Sequence, residues 1–143
     1  MSGLKGTGNT ITHQLIISDI LYAFTHKTRT ISKYKNYRCI PEIGLDGTVP
    51  DIVIYKIVRN EWQPKIIFEI SNSPNGFSKD LKKCEKLMRE NVSIDESFVI
   101  DISKENIKLK KIKKGSKGLP LQPVSNQNCA TFKLKVLDCL KSF

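Results

Sequence analysis

The chain is 143 residues long, enough for a single domain whose core needs no disulfide or metal staple. Hydrophobic residues make up 39% and charged residues 27%, a globular balance, and no apolar run reaches the length needed to cross a bilayer. Lys and Arg number 24 against 14 Asp and Glu, and the resulting net charge of +10 favours a polyanionic partner, nucleic acid first among them.

The opening stretch MSGLKGTGNT has no apolar core of a secretory signal. Cys39, Cys84, Cys129 and Cys139 show neither C-x-x-C spacing nor scaffold density, so buried thiols in a reducing cytoplasm are expected. Asn9 or Thr10 can cap a helix running to about Phe24, with Ile16, Ile20 and Phe24 on one stripe and Gln14, Ser18 and Asp19 on the other side. The segment TRTISKYKNYRCIPEI then turns β-rich and predicts a strand from about Arg38 to Ile43, and LDGT supplies an Asp-Gly hairpin turn. PDIVIYKIV returns as the second strand. Arg59 to Gln63 predicts a wider turn, and PKIIFEIS follows as a third strand, giving a meander.

NSPNGF reads as a loop, and Ser78 as the cap of a helix SKDLKKCEKLMREN with Leu81, Cys84 and Met88 facing the core. SFVIDI is a further strand, returning parallel to the third because a helix separates them. KENIKLKKIKKGSKG predicts one more strand with a lysine-rich rim, GLPLQPVSNQN a loop, and CATFKLKVLDCLKSF a closing helix. The expected fold class is α/β: helix, three-stranded antiparallel meander, helix, parallel strand, then an extra C-terminal strand and helix in one domain.

Within PKIIFEIS the run Ile66, Ile67, Phe68 and Ile70 leaves neither face polar, so the strand is expected to be interior and its Glu69 to need an answering charge or donor set. Asp51 stands eighteen positions earlier, at the start of the preceding antiparallel strand, so the two carboxylates are expected to share a corner. A hard divalent ion such as Mg²⁺, completed by water and a substrate phosphate, would reconcile them. Asp51 as a turn residue after Pro50, and Glu69 paired with a helix lysine or reaching solvent, are the structural alternatives.

PDIVIY, a turn, IIFEIS, a helix containing KDLKKCEK, then FVID resembles the PD-(D/E)XK nuclease superfamily, in its small bacterial restriction endonuclease branch, over residues 9–103. The resemblance implies Asp51 and Glu69 as metal-binding acids for Mg²⁺, with Mn²⁺ as an alternative, and the carbonyl of Ile70 as a further ligand. Ser71 stands where the family's strand lysine is expected, and Cys84 where the related branch carries it on the helix. Lys83 and Lys82 are then the catalytic candidates, with Lys79 beside them. Glu42 ranks ahead of Gln14 and Asp19 as an additional acid-side group, while His13 and His26 are expected near helix ends on the surface.

The band Lys104, Lys108, Lys110, Lys111, Lys113, Lys114 and Lys117 would hold a DNA backbone through phosphate contacts. No helix-turn-helix, zinc finger or aromatic platform for reading bases is visible in the sequence. The expected function is metal-dependent hydrolysis of DNA by a cytoplasmic protein, with a homodimer compatible with cutting both strands. A nuclease-like protein that only binds nucleic acid or a protein partner, and a basic structural module, are the rivals.

Overall fold

The computed structural model describes residues 10–45 and 47–141. Asn9 and Asp46, named above as a cap and a turn residue, lie outside them. Thr10 caps α1 (Ile11–Thr30), its hydroxyl accepting the His13 N–H at 3.0 Å. The helix runs six residues past Phe24, the end of its apolar stripe. The added turn holds no breaker, carries Lys27 and Arg29 where the helix dipole favours cations, and is tied down by the Lys27 ammonium, which donates to the Phe132 carbonyl at 2.8 Å. A 3₁₀ turn (Ser32–Tyr34) follows, burying Tyr34 in a stretch that the sequence alone marks as β-rich.

Five strands form one sheet in the order β1-β2-β3-β4-β5: β1 (Tyr37–Pro41), β2 (Ile52–Val58), β3 (Glu61–Ser71), β4 (Glu96–Asp101) and β5 (Lys108–Lys113). The first three are an antiparallel meander, β4 runs parallel to β3, and β5 is antiparallel to β4, as the sequence leads one to expect. The first strand ends two residues early, at Pro41, because Glu42 adopts a left-handed backbone (φ 47°). The β1–β2 connection closes at its tip by paired backbone bonds between Leu45 and Thr48, 2.6 and 3.0 Å.

The second turn is tighter than expected. Arg59 and Asn60 both take positive φ (52° and 67°), the geometry of a two-residue hairpin matched to strand twist, so Val58 faces Glu61 directly and Glu61 to Gln63 belong to β3. The pairing shifts register between Ile54 and Tyr55, where Pro64 and Lys65 interrupt the ladder. Proline removes a ladder donor, and a bulge accommodates it.

Side-chain alternation splits the core into two layers. Ile52, Ile54, Ile66, Phe68, Phe98 and Ile100 pack under α1, while Val53, Tyr55, Ile67, Val99 and Ile112 pack under α2 (Pro74–Glu90). That second helix starts at Pro74 rather than after Ser78: Ser73 caps it by accepting the Gly76 N–H at 3.0 Å, and proline suits the first helical position. NSPNGF is therefore a helix start, and Asp80 lies in the second turn.

The expected C-terminal helix is replaced by a short hairpin, β6 (Asn128–Cys129) with β7 (Leu134–Lys135), and a 3₁₀ turn (Val136–Cys139). Two contacts impose it. Phe132 is fully buried, stacked on Tyr34 at 4.5 Å between ring centres and edge-on to Phe24 and Tyr37 at 5.1 Å. The backbone beside it answers the buried Glu96, whose carboxylate accepts the N–H groups of Ala130 (2.8 Å) and Thr131 (3.2 Å) and the Thr131 hydroxyl (2.7 Å). Lys111, expected on the rim, is drawn inward to complete this cluster, its ammonium 2.8 Å from Glu96, 2.7 Å from the Asn128 carbonyl and 5.5 Å over the Phe98 ring. Among the described residues no helix is long and apolar enough to cross a membrane.

Burial pushes the Glu96 carboxyl up, but Lys111, Thr131 and the Ala130 N–H outweigh it and leave the pKa below its ordinary 4.5. A depressed carboxyl stabilises the fold fully above the ordinary glutamate range and loses that contribution as pH falls through the lowered value. Lys111→Met should cost about 3 kcal/mol in chemical denaturation at neutral pH, because it strands a buried charge. Glu96→Gln should flatten the loss of stability on acidification, read from the same denaturation series; an unchanged acid slope would remove Glu96 as its source.

Candidate functional site

The site follows from the β2–β3 register. Ile52 pairs with Phe68, so the ladder continued by one residue sets Asp51 opposite Glu69, and alternation places Glu69, with Ile67, on the face that α2 covers. Like charges directly opposed across strands repel, and the structure answers each with backbone from the other's strand. The Asp51 N–H donates to Glu69 Oε1 at 3.3 Å, and the Ile70 N–H donates to Asp51 Oδ2 at 2.7 Å. The two acids do converge.

Three further elements close on this corner. From α2, the Lys83 ammonium forms an ion pair with Glu69 Oε2 and also approaches the Val49 carbonyl at 3.4 Å. Asp80, one turn earlier, accepts the Ser71 hydroxyl at 2.5 Å. From the first turn of α1, His13 Nε2 lies 3.4 Å from Asp51 Oδ2, with the ring only 3% exposed. Glu69 is equally buried at 3%, whereas the Asp51 and Lys83 side chains keep 16% and 29% exposure, so the corner opens to solvent on their side.

Charge and burial compete here. Burial first, and the Asp51 charge second, push the Glu69 carboxyl up to about 8 against the opposing pull of Lys83. Asp80 is likewise raised by burial, opposed by the Ser71 hydroxyl and Lys83. Burial favours the neutral amine of Lys83, but its bond to Glu69 and the charges of Glu69, Asp80 and Asp51 hold its pKa above the ordinary lysine value. The arrangement holds more negative charge than its one ammonium balances.

Of the residues singled out from the sequence, Asp51, Glu69, Ile70 and Lys83 meet. Lys82 and Lys79 are exposed along α2, away from the acids' buried face. Cys84, at the position where a helix lysine was anticipated, is fully buried in the core layer beneath α2, and burial raises its thiol pKa well above the ordinary range. Glu42 contributes through its backbone, donating its N–H to the Asp51 carbonyl at 3.0 Å, while its side chain is exposed. Gln14 is exposed and Asp19 half-buried along α1. His13, Ser71 and Asp80 are the site residues the sequence did not give; the signal for His13 was its spacing of three and seven residues from Ile16 and Ile20, which puts it on the buried stripe.

Within the lysine band, Lys108 faces Asp101, which is level with Ser71, so Lys108 and the nearby Lys110 stand at the acids' end of the sheet. Lys113 faces Glu96 at the other end, and Lys114 folds back onto Asp95 at 3.3 Å and onto the Val92 carbonyl. Among the described residues no group of three or more His, Cys, Asp or Glu is gathered tightly enough to hold a metal ion by itself. The oxygen donors present, two carboxylates beside the Ile70 backbone, nevertheless fit the preference of Mg²⁺ for one or two carboxylates with the remaining positions left to water and phosphate.

No family model matches the chain, and no curated protein matches it. Among solved structures it is similar to the type IIG restriction endonuclease BpuSI, at 11% sequence identity and a TM-score of 0.53. The similarity covers 88% of this chain and 16% of the BpuSI chain, so this protein spans a small part of that enzyme's length. At this identity the likeness concerns the fold: the chain has a restriction-endonuclease-like α/β architecture.

Proposed function

We propose that the protein is a metal-dependent endonuclease that hydrolyses phosphodiester bonds in DNA, with the Asp51–Glu69 corner as its active site. The observation that carries this reading is the buried Glu69 set against Asp51 by the strand register, with Lys83 alongside. The restriction-endonuclease-like fold and the +10 charge support it.

Asp51, Glu69 and the Ile70 carbonyl are the groups that would hold Mg²⁺, or Mn²⁺ in its place. The strand register continued to Ile70 would oppose it to Pro50, which has no N–H to give that carbonyl. Such an ion, when bound, lowers the pKa of a water and polarises a phosphoryl oxygen. The chain's own residues do the rest. Lys83 takes the part of the missing strand lysine: its ammonium is positioned to orient the attacking water and to offset charge developing on phosphorus. Ser71 occupies the family's lysine position by holding Asp80, and Asp80 in turn helps keep Lys83 charged. His13 steadies Asp51 from behind. Lys108 and Lys110 supply phosphate contacts at the acids' end, where they position a backbone without reading sequence.

A second reading draws on the Lys83–Glu69 pair itself, which neutralises the buried acid with no metal and suits a descendant that binds nucleic acid without cutting it. One assay separates the two. Purified protein should nick plasmid DNA with Mg²⁺ or Mn²⁺, and Asp51→Ala or Glu69→Ala should lower the rate at least about a hundredfold. Lys83→Ala should cost roughly a hundredfold, while Lys82→Ala stays within about twofold of the wild type. Binding without any divalent-dependent nicking would favour the second reading.

The metal-free protein should also carry the mark of unbalanced acids. Because the Glu69 pKa rises from 4.5 to about 8 on folding, its contribution to stability is present below the unfolded value and drains away as pH climbs through the folded one. In chelator, Glu69→Gln should melt close to the wild type at acid pH and above it at alkaline pH, by a margin on the order of a few kcal/mol. A Gln variant that is the less stable of the two at alkaline pH would mean the Lys83 pair outweighs the repulsion.

A further inference from the structure

The solvent face of α1 carries Tyr22, His26 and Arg29 at helical spacings of four and three residues, one stripe along the helix. Tyr22 is 73% exposed, and its ring lies nearly parallel to that of His26, 14° apart with centres 6.0 Å distant. Beneath them runs a hollow of about 300 Å³. It shares Thr25 and Arg29 with a second hollow of about 400 Å³ between α1 and β1, lined by Lys35, Arg38 and Cys39 among others. The two make one groove with three fixed or near-fixed cations and no carboxylate in its lining. The Arg38 guanidinium is already braced by the Lys35 and Tyr37 carbonyls at 2.7 and 2.8 Å, so little freedom remains to be lost when an anion arrives.

A polyanion with flat rings fits this surface better than a protein does. A second copy meeting the exposed β1 edge symmetrically would set Arg29, Lys35 and Arg38 against themselves. An exposed aromatic beside cations is the combination that holds single-stranded nucleic acid, with bases stacked on the ring and phosphates on the basic groups. Placement agrees: α1 brings His13 to Asp51, and Tyr22 and Arg29 lie nine and sixteen residues further along, about 13 and 24 Å at 1.5 Å per residue. That span is roughly four to seven steps of a DNA strand at about 3.4 Å each.

We propose that the α1–β1 groove is the track that leads a DNA strand to the Asp51–Glu69 corner, with phosphates on Arg29, Lys35 and Arg38 and a base on the Tyr22 ring. The proposal rests on reading that corner as a DNA-cutting site.

The test is fluorescence anisotropy of the full chain with a labelled single-stranded oligodeoxynucleotide, in chelator and over a salt series, with inorganic polyphosphate as a ring-free competitor. Arg29→Glu with Arg38→Glu should weaken binding at least tenfold and flatten the log–log salt slope by roughly 1.4 to 1.8, the release expected for two lost phosphate contacts. Tyr22→Ala should weaken DNA binding about fivefold or more and leave polyphosphate binding unchanged. All three side chains are exposed, and thermal melts check that the variants fold; Arg29→Gln with Arg38→Gln, which keeps most of the shape, should show the same direction of effect. Unchanged affinity and slope in both arginine pairs, or equal loss of DNA and polyphosphate in Tyr22→Ala, overturns the proposal. Wild type that binds through this groove but never nicks plasmid with Mg²⁺ leaves the track and removes the cleavage reading, whereas nicking that is indifferent to all these variants does the opposite.

Discussion

Two carboxylates sit opposite each other at the end of a buried ladder, and the placement of everything around them follows from the β2–β3 register that puts them there. A slip of one residue would turn Glu69 to the α1 side of the sheet and Phe68 to the other, so the register has to be held against the repulsion it creates. Two local devices hold it. The left-handed pair Arg59 and Asn60 fixes where β3 begins, and the interruption at Pro64 and Lys65 absorbs the one position where the ladder lacks a donor. Six apolar side chains on one face and five on the other then lock the strands. The acids are thus strained into company by packing far larger than their mutual repulsion.

The start of α2 has the same kind of control over the cation. Ser73 and Pro74 fix where the helix begins, and from there a rotation of about 100° per residue decides which of Lys82, Lys83 and Cys84 faces the strand end. Cys84, Leu87 and Met88 must face the core, so Lys83 lands at its border, with its stem half-buried and its ammonium on Glu69. Lys82 is left in solvent. A helix beginning at Ser78, as the composition of NSPNGF invites one to read it, would keep this rotation but lose the turn that carries Phe77 toward the core.

Strand order, the parallel return of β4 and the meeting of Asp51 with Glu69 were legible in the sequence because each rests on periodicity and spacing alone. The residues that escaped notice are those whose partners lie far along the chain. Lys111 shares a face with Leu109 by simple alternation, but nothing near it announces that Glu96 and the Asn128 carbonyl will be waiting. The C-terminal segment has helical periodicity that yields to a distant demand: Glu96 needs the backbone of Ala130 and Thr131, and a helix there would spend those N–H groups on itself. His13 looked like a helix-end surface residue because its neighbours are polar, although its place on the stripe of Ile16 and Ile20 points inward. The lysine that the family pattern lacks at Ser71 shows the limit of motif reading, since a side chain one turn of helix away can present its charge at the same oxygen.

The charge of the chain takes on a different meaning once the committed lysines are set aside. Lys111 serves Glu96, Lys83 serves Glu69 and Lys114 folds back to Asp95, so none of them adds much to the outward field. What remains positive is gathered at the two edges of the sheet: Lys108 and Lys110 on β5, and Arg38 on β1 with Arg29 and Lys35 beside it. The acid corner lies between these edges, at the end of β3 where the parallel pair of strands terminates, which is the usual place for a ligand in an open α/β sheet. A polyanion attracted to both edges is drawn across the one point where the protein itself is short of positive charge. Cationic margins around an acidic centre thus do what neither could alone, raising the local concentration of phosphate while leaving room between the acids for a cation that the margins do not supply.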